Sequence, residues 1–81
     1  MTPKEEKQVK IEALTAGLKQ NLGQMALEEV KLSVIQSRLL VMSHGKARKE
    51  MMKGEAGTQG NIDGMKLVIR KTKEFIKELE K

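Results

Sequence analysis

The sequence predicts an all-α fold: an antiparallel helical hairpin, with a long first helix and a shorter second one, assembled into a homo-oligomeric helical bundle. Three observations lead there. Ile11, Leu18, Met25, Leu32 and Leu39 follow one another at seven-residue spacing, the signature of a helical seam. No segment alternates apolar and polar residues with the period of two that a strand needs. Four of the seven glycines fall between Gly54 and Gly64, where they punctuate an otherwise helical pattern.

The first helix is expected over about residues 3–53. Thr2-Pro3-Lys4-Glu5 supplies an N-cap hydroxyl, a proline at the first helical position and a glutamate placed to reach back to the cap. Leu14, Ile35 and Met42 occupy the second position of the seam, which Asn21 and Glu28 interrupt. Polar seam residues weaken association while fixing its register, so Asn21 is a candidate specificity element. Gly17 and Gly23 flank it and each costs about 1 kcal/mol relative to alanine. A break near Gly17–Gly23 is therefore the alternative, giving a monomeric three-helix bundle. Beyond Met42 the seam runs into Lys46 and Lys49. Either the helix breaks at His44-Gly45, or packing moves to Leu40, His44, Ala47 and Met51 and the helix continues.

The stretch of about residues 54–60 reads as a glycine-rich turn, with Thr58 or Asn61 capping a second helix over about 61–81. Ile62, Met65, Ile69, Ile76 and Leu79 form its apolar stripe, widened by Val68 and Phe75 and broken by Thr72. The whole chain, 1–81, makes a single helical domain.

Self-association follows from length. At 1.5 Å per residue the first helix would span about 75 Å and the second about 30 Å, so the second covers less than half of the first. The candidate oligomer interface is Ile11, Leu14, Leu18, Met25, Leu32, Ile35 and Leu39. A second apolar face, Leu27, Val30, Val34 and Val41, lies about 130° from Leu32, Ile35, Leu39 and Met42. A helix apolar on two faces needs two neighbours, and one hairpin supplies one.

One His, no Cys, no Trp and no Tyr leave few nucleophiles, general acids or metal ligands. No catalytic residue, metal site or cofactor is expected. The longest uncharged run, Gln20 to Leu27, is far below the ~20 residues that span a bilayer. Lys4, Glu5, Glu6 and Lys7 stand where a secretory signal would be apolar. A cytoplasmic protein without a membrane partner is the expectation.

The net charge is +5, and residues 41–81 carry ten of the sixteen basic side chains against six of the eleven acidic ones. Lys46, Arg48, Lys49 and Lys53 form one group; Lys66, Arg70 and Lys73 form another. With a turn near Gly57 the two would lie opposite each other at the hairpin's end. Together with Thr58 and Asn61 they are the candidate residues for an anion or partner. The function that fits is a small non-enzymatic adaptor or inhibitor acting by protein–protein contact, with Met51 and Met52 as contact candidates. Two alternatives use the charge: sequestration of a phosphate-bearing ligand such as a nucleotide between subunits near the turn, or nucleic-acid binding through the basic end. No strand precedes the glycines and no nucleotide-binding fingerprint is matched.

Overall fold

The computed structural model describes residues 1–81. It contains two helices, α1 (Pro3–Val41) and α2 (Lys46–Glu80), packed against each other as a hairpin. The rod they form measures 63 × 16 × 14 Å. α1 begins as its sequence dictates. The Thr2 hydroxyl accepts from the Glu5 backbone N–H at 3.2 Å, and the Glu5 carboxylate accepts from the Thr2 N–H at 3.4 Å. From there α1 runs unbroken through Gly17 and Gly23, so the three-helix alternative is not the one adopted.

The turn is not where the glycines cluster. It occupies Met42–Gly45, and Gly54, Gly57, Gly60 and Gly64 all lie inside α2. The boundaries expected at 53, 54–60 and 61 are thereby corrected, and the second helix is nearly as long as the first: 35 residues against 39. Gly45 is the one residue with positive φ, +153°. That backbone is open to glycine and strained for any residue with a Cβ. Of the two continuations past Met42, the chain takes the break at His44-Gly45, which leaves His44 exposed in the turn.

Magnitudes explain the choice. Four glycines in a helix interior cost roughly 4 kcal/mol relative to alanine. A turn at 54–60 would strip the partner from the half-buried Ile11, Leu14 and Leu18, each worth about half of the ~1.5–3 kcal/mol that full burial gives, a sum that offsets the glycine cost. Turning at 42–45 covers them. It also follows a pattern in α2 that starts well before Ile62. Arg48, Met51, Glu55, Thr58, Ile62, Met65, Ile69, Thr72, Ile76 and Leu79 follow one another at alternating steps of three and four, and each is buried or half-buried. The facing series on α1 is Lys7, Ile11, Leu14, Leu18, Asn21, Met25, Glu28, Leu32, Ile35 and Leu39. Two unbroken heptad series define an antiparallel coiled-coil hairpin.

Contacts at both ends mark the register. Lys7 Nζ donates to the Lys81 carbonyl at 3.1 Å, and the Arg48 guanidinium donates to the Leu39 carbonyl beside the turn. Asn21 therefore stands level with the space between Met65 and Ile69, and Glu28 with that between Thr58 and Ile62. Two of the polar seam residues are partnered within their own helices. Glu28, 17% exposed at its side chain, accepts from Lys31 Nζ at 3.1 Å. The Thr72 hydroxyl donates to its own helix at the Val68 carbonyl, 2.8 Å away. No buried side-chain polar atom lacks a hydrogen bond. Only Leu39, Ile62 and Ile69 are buried, and none of them completely, because two helices can enclose a line of side chains but not a volume.

Candidate functional site

The seam consumes the residues expected to hold subunits together. Ile11, Leu14, Leu18, Met25, Leu32, Ile35 and Leu39 are all half-buried or buried against α2 of the same chain. The premise that α2 covers less than half of α1 is corrected, since α2 spans α1 almost end to end. The second face of α1 has a different fate. Leu27, Val30, Val34 and Val41 remain exposed, Leu27 at 65%.

That face continues onto α2. One shallow cleft is lined by Lys10, Ala13, Leu14, Phe75 and Leu79, and another by Gln24, Leu27, Glu28, Val30, Lys31 and Met65. Lys10, Gln24 and Lys31 are separated by multiples of seven residues, so both clefts open on one flank of the rod. Phe75, 63% exposed, and Val68, seven residues before it, belong to this flank. Large apolar residues on one helix stand level with small or polar ones on the other. In the turn half, Leu27 and Val34 on α1 stand level with Asn61 and Gly54 on α2. In the terminal half, Phe75 and Val68 on α2 stand level with Ala13 and Gln20 on α1. Between the levels of Ala13 and Leu27 neither this flank nor its back edge on α1 carries a charge: Ala13, Ala16, Gly17, Gln20, Gly23 and Gln24 fill it. A Cβ added at Gly17, Gly54, Gly57 or Gly64 would meet nothing within 4 Å, so the surface at these positions is open.

The opposite flank is basic. Met52 lines a cleft there with Gln36, Leu39, Leu40, Arg48 and Glu55. Lys66 and Lys73 follow Met52 at multiples of seven, while Arg70 and Lys77 sit just outside them. All four are exposed and none forms an ion pair. Lys19, in heptad phase with Leu40 on the same flank of α1, is level with the space between Lys66 and Lys73.

The two basic groups do not face each other, because the turn at 42–45 strings them along one helix. Lys46, Lys49 and Lys53 lie at the turn end, and Lys66 begins about 20 Å beyond Lys53. Lys53 pairs with Glu50 at 3.6 Å. Arg48 is occupied differently: besides Leu39, its guanidinium donates to the Met42 carbonyl at 3.4 Å. It holds the carbonyls that α1 leaves without partners at its end and complements the negative pole of that helix. Thr58 sits half-buried in the seam, and Asn61 is exposed on the apolar flank. Neither caps a helix. The loop that could have cradled a phosphate is a stretch of helix whose N–H groups are already bonded along α2.

No group of three His, Cys, Asp or Glu side chains converges as a metal would require, and no helix is long and apolar enough to cross a membrane. The α1 half of the exposed apolar flank is visible in the sequence as the second face of the first helix, but its continuation onto α2 is not. Its signal was the pairing of Val68 and Phe75 with the glycines at the turn half of α2, which becomes legible once residues 46–60 are given helical phase. Family models, curated proteins and solved structures contain no match to this chain.

Proposed function

We propose that this protein is a non-enzymatic, self-associating binding module, an adaptor or inhibitor that works by protein–protein contact. Its apolar flank pairs with the same flank of a second copy, completing a four-helix bundle. One observation carries the reading. A folded 9.1 kDa chain exposes about 4,900 Å² by the usual scaling of surface with mass, whereas this hairpin exposes 6304 Å². The excess of about 1,400 Å² per chain is of the size that an obligate homodimer buries on each partner. One long side of the rod, roughly 1,000 Å² in projection, reaches the lower end of what such an interface buries on each partner.

The shape of the flank favours a second copy over an unrelated partner. A two-fold axis along the rod lays α1 of one copy over α2 of the other, so that Leu27 and Val34 meet Asn61 and Gly54. The same operation brings Phe75 and Val68 onto Ala13 and Gln20. Val34 and Phe75 then fill the places left by Gly54 and Ala13, and the arrangement occurs twice, as an isologous interface demands. The turn ends, with Met52 and the 87%-exposed Leu40, stay free for a further partner.

Light scattering coupled to size-exclusion chromatography tests this directly. A mass of twice 9.1 kDa is expected at micromolar concentration, and Leu27→Glu with Val68→Glu should return it to one chain. A wild-type protein that elutes as a single 9.1 kDa chain at those concentrations refutes the proposal.

A further inference from the structure

We infer that the basic flank is a docking surface for the phosphate backbone of a nucleic-acid duplex, bound without regard to sequence. Lys66, Arg70, Lys73 and Lys77 form a straight row about 16 Å long on a rigid helix, with Lys19 of α1 beside it. Across those levels the acids on the flank are few. Glu12 takes a hydrogen bond from Gln8 at 3.2 Å. Asp63, at the near end, takes one from Gln59 at 3.1 Å, and Glu80 lies past the far end. Glu74 is turned to Lys71, 3.5 Å away, on another face.

Ordinary helix electrostatics does not account for the row. Cations at a helix C-terminus complement its dipole, but that effect fades beyond the last turn. α2 ends at Glu80, so only Lys77 is within reach, while Lys66, Arg70 and Lys73 lie two turns or more from the end. Ion pairing does not account for it either, since none of the four has a carboxylate partner. Four mutually repelling cations remain, three to four residues apart, and such repulsion is relieved by an anionic polymer laid along them.

The chemistry of the flank selects the polymer. A protein interface surrounds an apolar, aromatic centre with charge, whereas here the exposed apolar side chains at the level of the row, Leu22 on α1 and Leu67 at the back edge of α2, are isolated from each other on opposite sides of it. Single strands are held by stacking on aromatic rings, yet Phe75, the sole aromatic, is on the other flank. A line of cations without apolar anchor or stacking platform matches contact with backbone phosphates alone.

The test is a salt series of duplex binding, read by fluorescence anisotropy with a labelled random-sequence DNA. Four to five phosphates neutralised give a slope of log K against log salt near about −4. Replacing Lys66, Arg70 and Lys73 with glutamine, a good helix former, should bring the slope to about −1 with helicity unchanged by circular dichroism. Lys46→Gln, Lys49→Gln and Lys53→Gln together remove the same charge from the turn end and should leave the slope close to that of the wild type. The inference is overturned if the wild type binds no duplex at low salt, if both triple variants lose slope equally, or if labelled polyglutamate binds more tightly than the duplex. The last result would assign the row to an acidic protein.

Discussion

Alanine at Gly60 should stabilise this protein, and the sign of that effect separates a helix from a turn. Gly60 lies on the back of α2, has ordinary helical φ, and a Cβ there would meet nothing within 4 Å. The methyl group therefore adds no clash and removes freedom from the unfolded chain. Glycine costs about 1 kcal/mol relative to alanine in a helix interior. Gly23 has the same setting on the back of α1, so the double variant should gain about 2 kcal/mol. For a domain of this size each kcal/mol moves Tm by roughly 4–8 °C, which predicts a rise of about 8–16 °C for the pair. Gly45→Ala should do the reverse and cost about 1–2 kcal/mol, because φ of +153° is strained for alanine. Thermal melts followed at 222 nm provide the measurement, with all variants at one protomer concentration because association itself shifts Tm. A Gly60→Ala variant that melts lower than wild type, beside a neutral Gly45→Ala, would falsify the hairpin turn at 42–45 and return it to the glycine cluster.

Two further outcomes follow from the packing. Ile62→Ala removes the best-buried side chain of the seam, 2% exposed, and should cost about 2–5 kcal/mol in chemical denaturation. Leu40→Ala, at 87% exposure, should stay within about 0.5 kcal/mol. Arg48→Met keeps the apolar stem of the side chain but removes the guanidinium and frees the Leu39 and Met42 carbonyls; a loss of about 1.5–3 kcal/mol is expected from bonds to a charged donor. Hydrogen exchange should show that loss as faster opening of residues 39–48, and unchanged protection there would remove Arg48 from its role as the clamp of the turn.

Helical content and the α1 seam were legible in the sequence because each depends on neighbours within one or two turns. Thr2, Pro3 and Glu5 announce the start of α1, and the heptad from Ile11 to Leu39 marks its buried face. Four glycines in eleven residues, by contrast, look like a turn to any local rule. Glycine's cost in a helix is about 1 kcal/mol each, a sum that distant burial can outweigh, and nothing local reveals that Ile11 and Leu14 will find Ile76 and Leu79 across the rod. The misplaced turn then carried two further errors with it. It made the α1 seam look uncovered, and it drew the two basic groups together at one end.

What the sequence determined by itself was the periodicity: two amphipathic helices, the apolar residues of their facing stripes, and a second apolar face on α1 that one neighbour cannot cover. The tertiary structure decided which residue turns the chain, and from that everything about level and side. Placing Gly45 at the turn sets Leu27 beside Asn61, sends Phe75 to the apolar flank, and leaves Lys66, Arg70, Lys73 and Lys77 as a separate basic row. Register is the sum of many weak contacts along 63 Å of seam, so it is fixed by the whole hairpin and is written in no single stretch of it.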